Sequence, residues 1–331
     1  MSTKTKNILI TGAAGFIGSH LSKRLEDEGH SLILIDNFSR GKQEYLDYLG
    51  VKTKCIKADL KDYINNIYFE NVDIVYHFAA KIGGMQHLHG SFERELAAFQ
   101  ENMMIDANVF KSCFKHNVKK IIFTSSVSVY NTSCQYFMTN VVFNENDTKY
   151  NGFDPEGGYG WAKAIGEKQL EMLNYCGVKT GIARLFKCYG PCDETSNESN
   201  NVVISNCKKV INYSNKPFFV WGDGSATRDF FYVDDCVDAF LKIEKHLDNN
   251  QNITVNLGSG KPTSIKKLVN QIAKNSEKKI KVLYDKTKPT GPLSRTANIT
   301  KARKELGWEP KVNLSDGLKR TYDWVKEWKY Q

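Results

Sequence analysis

Short apolar runs alternate with longer amphipathic segments through the first 190 residues, the pattern of a parallel sheet covered by helices on both faces. The runs Asn7–Thr11, Ser31–Ile35, Val51–Lys57, Val72–Phe78, Lys120–Ser125 and Val178–Leu185 predict strands. Phe16–Glu28, Phe92–His116 and Gly160–Cys176 carry the spacing of helices between them. After Pro191 the chain turns polar, from Asp193 to Asn201, and the later elements are shorter: helices at Asp234–His246, Ile265–Lys274 and Ser315–Trp328, and a strand at Ile253–Leu257. The expected architecture is α/β. A doubly wound parallel sheet would occupy residues 1–190, and a smaller α/β substrate domain 191–331, with some of the later chain crossing back.

Composition narrows this only a little. Hydrophobic residues make up 41% and charged residues 25% of 331, near globular averages, and no apolar stretch reaches the roughly 18 residues of a membrane span. The N-terminal MSTKTKNILI lacks the pattern of a secretory signal, so a cytoplasmic location is expected. The eight cysteines show no CxxC pairing, which favours free thiols over disulfides or zinc. His87 and His89 flank Leu88 without a third ligand nearby, so no metal site is expected. The formal charge of +9 is spread along the chain rather than gathered in a basic stripe; it suits phosphate-bearing small molecules better than nucleic acid.

The first chemistry lies after the first strand. Gly12, Gly15 and Gly18 recur in Thr11-Gly12-Ala13-Ala14-Gly15-Phe16-Ile17-Gly18. Glycines there let the backbone approach a pyrophosphate, and the first helical residues, Phe16, Ile17 and Gly18, turn a helix N-terminus toward its charge. Asp36 closes the second strand, where a carboxylate accepts hydrogen bonds from ribose hydroxyls and repels a ribose phosphate. This predicts NAD rather than NADP, with Arg40 as the counter-signal because it could reach such a phosphate.

A second constellation is Tyr159-Gly160-Trp161-Ala162-Lys163. One helical turn apart, Tyr159 and Lys163 share a face. A phenol is a poor base at neutral pH unless a nearby ammonium and a nicotinamide cation lower its pKa. It could then take the proton of a sugar hydroxyl as hydride leaves. Ser125 and Ser126, at the end of the preceding strand, are placed to hydrogen-bond the same hydroxyl, with Ser125 also toward the cofactor.

Together with His77-Phe78-Ala79-Ala80, Tyr189-Gly190-Pro191, Arg228-Asp229 and Leu306-Gly307-Trp308, these words resemble the extended short-chain dehydrogenase/reductases, in particular the nucleotide-sugar epimerases, dehydratases and reductases. The resemblance spans nearly the whole chain. It implies a Rossmann domain binding NAD, tightly held in some members. Asn37, Asp59 and Leu60 would then lie at the adenosine, Ala79, Ala80 and Lys81 along the phosphates and ribose, and Asn102 nearby. It also implies a homodimer through Phe92–His116 and Gly160–Cys176, forming a four-helix interface. Arg228 and Arg295 match arginines that hold the diphosphate, a task for guanidinium forks.

A narrower resemblance, to the fucose synthases and mannose 3,5-epimerases that act on GDP-sugars, rests on Ala79 to Met85, Asn102 to Asn108 and Trp221-Gly222-Asp223-Gly224. It favours GDP over UDP and puts Trp221 and Val202 beside the substrate. Departures matter as much. Ser128 stands where those enzymes carry a cysteine and dehydratases a glutamate, Asn201 where fucose synthases carry a histidine, and Lys187 where relatives often have asparagine. With no evident carbon acid or base, the expected reaction is Tyr159/Lys163 hydride chemistry at C4 of a nucleotide-linked sugar. A GDP-linked manno-type hexose or heptose is favoured, giving a 4-keto sugar or its C4 epimer. A UDP-hexose 4-epimerase and a non-catalytic NAD(H)-sensing regulator stand as alternatives.

Overall fold

A computed structural model describes residues 5–83, 91–150, 152–193 and 202–328, save 215, 217, 277 and 289; the side chains of 64, 65 and 150 are also outside the description. Seven strands form one parallel sheet: β1 (Asn7–Thr11), β2 (Ser31–Asp36), β3 (Cys55–Lys57), β4 (Ile74–His77), β5 (Lys120–Ser126), β7 (Lys179–Leu185) and β11 (Asn252–Leu257), in the order β11-β7-β5-β4-β1-β2-β3. Each interior strand is covered on both faces, which is why these segments read as continuous apolar runs: Ile8, Leu9 and Ile10 of β1 are all buried. The order reverses between β1 and β4. A crevice opens there at the carboxyl ends of the strands, the usual ligand position in doubly wound sheets.

Helix α1 (Phe16–Asp27) and helix α8 (Val233–His246) pack on one face, and α3 (Phe92–Lys115) with α6 (Gly157–Tyr175) on the other. Both long helices were expected, within three residues at each end. Small residues let α6 sit close. A Cβ at Gly158 would fall 2.2 Å from the Glu95 carbonyl oxygen, and one at Gly166 would fall 2.8 Å from Phe123 Cζ and Asp106 Oδ2. The strand expected over Val51–Lys57 is only Cys55–Lys57, because the Val51 N–H donates to Leu46 O and closes a short helix, α2 (Gln43–Leu49), that the pattern did not signal.

The second sheet holds β12 (Pro262–Ser264), β10 (Thr227–Tyr232), β14 (Ser294–Ala297) and β6 (Val142–Phe143), with β8 (Lys187–Tyr189) also paired to β10. Two further strands, β9 (Phe218–Trp221) and β13 (Val282–Asp285), pair separately. A third apolar cluster fills this half, around Tyr189, Ile204, Phe230, Leu268 and Trp324. Between these parts the chain crosses repeatedly: β6 and β8 precede residue 190 yet belong to the second sheet, and β11 returns to the first. No helix among the described residues is long and apolar enough to cross a membrane.

Asp229 joins the two sheets. Its buried carboxylate accepts from the Ser259 N–H (2.5 Å) and hydroxyl (2.6 Å), from Gly260 N–H (2.9 Å) and from Ala297 N–H (3.0 Å), so the turn after β11 and the end of β14 hang on one side chain. Removing it would leave several buried donors without a partner. Asp229→Ala should lower the unfolding free energy by about 3 kcal/mol, as read by urea denaturation of the whole chain.

Candidate active site

The turn from β1 into α1 is shaped by missing side chains. Gly12 has φ +68°, and a Cβ there would meet Ala79 N at 2.8 Å; a Cβ on Gly18 would lie 2.2 Å from Gly12 O. Only glycine lets the loop, the strand β4 exit and the helix approach this closely. The first N–H groups of α1 have no partner inside the helix. Phe16, Ile17 and Gly18 therefore open the helix onto a cavity of about 890 Å³ at the sheet's switch point.

Along one arm of this cavity lie Asp36, Asn37, Asp59, Leu60, Ala79, Ala80 and Lys81. Asp36 Oδ2 accepts from Ala14 N–H (3.0 Å) and Oδ1 from Phe38 N–H (2.8 Å), so the carboxylate braces the glycine loop as well as facing the cavity. Burial pushes its carboxyl above the ordinary value, against these hydrogen bonds. Arg40, the counter-signal, donates to Ile82 O at 2.5 Å. Asn37 Nδ2 donates to Asp59 Oδ2 (3.3 Å), and Lys61 and Lys81 both pair with Glu101. Asn102 is buried behind the loop: it accepts from Lys81 N–H (2.8 Å) and donates to Lys81 O (3.0 Å), and it is not part of the cavity wall. It shapes the segment that lines the arm.

At the junction stand Ser126, Tyr159 and Lys163. Tyr159 enters α6 with its phenol hydrogen-bonded to Ser126, and the Lys163 ammonium lies 5.9 Å from the Tyr159 ring centre and 4.5 Å from that of Phe123. Burial pushes the phenol above its ordinary value, against the Ser126 hydrogen bond. Burial also pulls the Lys163 ammonium down, against the charges of Asp106 and Glu167. The expected lowering of the phenol by Lys163 is thus not supplied by the chain alone. Ser125 lines the same cavity but does not share the Ser126 contact. Alternation along β5 turns it away from Ser126, and its hydroxyl donates to Glu167 Oε1 at 2.5 Å, a carboxylate also held by Arg184.

The other arm is lined by Ser128, Glu156, Lys187, Val202, Arg228 and Arg295. Arg228 and Arg295 are direct cross-strand partners on β10 and β14. Burial and the neighbouring Arg295 hold the Arg228 guanidinium down at about 10. Arg295 Nε is buried with no hydrogen-bond partner among the described residues. Two adjacent cations with unspent donors suit a bound anion. Burial pulls the Lys187 ammonium down, while Asp193 opposes that and both arginines add to it. Trp221, on the exposed end of β9, is not brought to the cavity wall. Asn201, Met85, His87 and His89 lie outside the described residues.

Glu156 was missed. Its Oε2 accepts from the Ser128 hydroxyl (2.9 Å) and pairs with Arg295, and its Oε1 accepts from the Tyr136 hydroxyl (2.8 Å). Burial raises a carboxyl, but the Arg295 charge and the three donors outweigh it and hold this one down at about 2. In sequence, a glutamate just before a helix reads as a terminus residue; only the fold shows that it faces Ser128.

The chain matches the model of the NAD dependent epimerase/dehydratase family over residues 8–258. It belongs to that family. NAD is accordingly its cofactor, and the open glycine cradle with the start of α1 on the cavity wall fits a dinucleotide. Among relatives, this family member is 30% identical over 322 residues to a putative UDP-glucose 4-epimerase of Methanocaldococcus jannaschii (96% of this chain, 98% of that one). It is 29% identical over 329 residues to the GDP-mannose 3,5-epimerase of Arabidopsis thaliana (97% and 82%). A crystal structure of UDP-glucose 4-epimerase with UDP-glucose from Thermotoga maritima superposes with a TM-score of 0.85 at 27% identity, covering 98% of this chain and 99% of that one. The enzyme is thus an NAD-dependent nucleotide-sugar epimerase/dehydratase by family, with relatives that differ in nucleotide and in reaction.

The Glu156 carboxyl has an unfolded value near 4.5 and a folded value of about 2, so its stabilising contribution is complete above pH 4.5 and is lost as pH falls toward 2. Glu156→Gln should be less stable than the parent by about 3 kcal/mol at pH 7, and the gap should narrow below about pH 4.5. Denaturant titrations of both proteins between pH 7 and 3.5 check this.

Proposed function

We propose that this enzyme oxidises C4 of a nucleotide-linked hexose or heptose, and that a GDP-linked manno-type sugar is its preferred substrate. The observation that carries the reading is the convergence of Ser126, Tyr159 and Lys163 where the two arms of the cavity meet. On this reading the dinucleotide lies along Gly12, Gly15, Phe16, Ile17, Gly18, Asp36, Asn37, Asp59, Leu60 and Ala79 to Lys81. The diphosphate of the sugar nucleotide lies between Arg228 and Arg295, with Lys187 and Val202 beside it. Arg228 and Arg295 then exchange mutual repulsion for contact with phosphate oxygens.

NAD, when bound, supplies the hydride acceptor and a positive charge near the phenol. Ser126 holds the sugar hydroxyl, and the Tyr159 oxygen takes its proton. Lys163 holds positive charge beside the Tyr159 phenolate that accepts this proton and becomes a phenol, and the charges of Asp106 and Glu167 work against the effect of burial on that ammonium. The resulting 4-keto sugar is either released or reduced again from its other face. Carbon-acid chemistry is disfavoured, because Ser128 is a poor acid or base and Glu156, held at about 2 by its donors, is a weak base at neutral pH.

A UDP-hexose 4-epimerase is the second reading, favoured by the similarity to the Methanocaldococcus jannaschii protein and to the Thermotoga maritima structure. Thermal denaturation with GDP, UDP, dTDP, CDP and ADP ranks the nucleotides. Mass analysis after incubation with GDP-mannose or UDP-glucose then gives the outcome. Loss of two mass units marks a dehydrogenase, an isomer of unchanged mass an epimerase, and loss of water would overturn the argument from Ser128 against carbon-acid chemistry. Tyr159→Phe should reduce turnover by about 10²- to 10⁴-fold while NAD still raises the melting temperature.

Helices α3 and α6 expose the large apolar side chains Leu96, Met104, Trp161 and Met172, and exposed apolar patches mark interaction surfaces. We assign this face to a second copy of the chain, giving a dimer through four helices. Light scattering should return twice the 37.6 kDa chain mass, and Met104→Lys should return the single mass.

A further inference from the structure

The group formed by Ser128, Tyr136, Glu156 and Arg295 has a direction. Three donors converge on one carboxylate: Ser128 Oγ to Oε2, Tyr136 OH to Oε1, and Arg295 alongside Oε2. The backbone fixes this arrangement. Glu156 N–H donates to Ser128 O at 2.8 Å, and a Cβ on Gly160 would fall 2.4 Å from that same oxygen, so the start of α6 is pressed onto the Ser128 segment with nothing between. Both Glu156 and Ser128 border the cavity, and both are largely buried.

An ionised carboxylate only accepts, and a serine hydroxyl has one proton to give. With that proton committed to Glu156, Ser128 offers the cavity nothing but lone pairs. We infer that Glu156 sets the polarity of Ser128, so that the sugar group resting on Ser128 must be a hydrogen-bond donor, a hydroxyl or an N–H. A carbonyl, carboxylate or fluorine at that contact meets an oxygen lone pair, with the negative charge of Glu156 behind it. Glu156 is thus a positioning residue for substrate choice. It acts through Ser128, and the sugar class it selects carries a donor at this position. The charges facing Glu156 from the packed elements are Arg295 on β14 and Arg228 on β10, with the Tyr136 hydroxyl from the segment after β5. Arg295 answers the carboxylate through one terminal nitrogen and keeps its Nε, beside Arg228, for the phosphates.

This inference rests on the nucleotide-sugar reading, and one experiment separates the two. Dissociation constants are measured by calorimetry for GDP-mannose and UDP-glucose and for their monofluoro-deoxy forms at each free sugar hydroxyl. The proteins are the parent chain, Ser128→Ala and Glu156→Gln, each with NAD present. Fluorine accepts but cannot donate. In the parent, fluorination at one position should weaken binding about tenfold or more. That cost should vanish in Ser128→Ala. In Glu156→Gln it should shrink to under threefold, because the carboxamide can donate to Ser128 and free its proton for the ligand. A purely structural role for Glu156 would weaken the whole panel evenly and leave the position-specific cost intact, which would overturn the inference. So would a parent protein that binds every analogue equally. If the parent binds neither parent sugar nucleotide, the GDP-manno and UDP-hexose readings both fall, and this inference with them.

Discussion

The active site depends on one close approach: the first turn of α6 lies against the Ser128 carbonyl, at a distance only the bare Gly160 allows. From that contact the rest follows. It brings Tyr159 onto Ser126, sets Lys163 one turn deeper over Phe123, and turns Glu156 back to Ser128. A side chain at 160 would move all of them together. The catalytic groups are therefore not independent placements but consequences of one strand-to-helix packing distance, reinforced on the far side by Gly158 and Gly166 against α3 and β5.

Charge is divided along the cavity. At one end Asp36, Asp59 and Glu101 answer backbone amides, Asn37 and the lysines 61 and 81. Toward the other end Arg228, Arg295 and Lys187 face fewer carboxylates, with Glu156 and Asp193 opposed to them. A ligand bearing phosphate is drawn to the second arm by this surplus, while the first arm is nearly neutral apart from its helix N-terminus. At the centre Lys163 is buried and Tyr159 half-buried, and burial works there against both charged forms.

Much of this was legible along the chain because parallel strands buried on both faces leave unbroken apolar runs, and glycines forced by close packing sit at fixed intervals. The strand Asn7–Thr11 and the helix Ile265–Lys274 have the bounds that pattern alone predicts. What escaped was set by side-chain direction. Ser125 and Ser126 are adjacent letters and both border the cavity, but the Ser125 hydroxyl is taken by Glu167 and only Ser126 meets Tyr159. Asn102 and Asp36 were read as ligand contacts, while Asn102 spends its hydrogen bonds on the loop and Asp36 spends part of its capacity there. Glu156 looks like an ordinary helix-start residue until Tyr136 and Arg295, distant in sequence, arrive around it.

The weaving of the chain between its two sheets has a consequence for how the molecule is made. The edge strand β11 is supplied only after most of the second sheet's strands have been synthesised, and β6 waits more than 150 residues for β14. Neither half closes its own hydrogen-bond ladder from a contiguous stretch, so each must tolerate an open edge until the other has formed. Long-range pairing of this kind slows folding and binds the two halves into a single cooperative transition. In such a chain, a weak C-terminal strand can be felt first as a failure of the N-terminal cofactor fold.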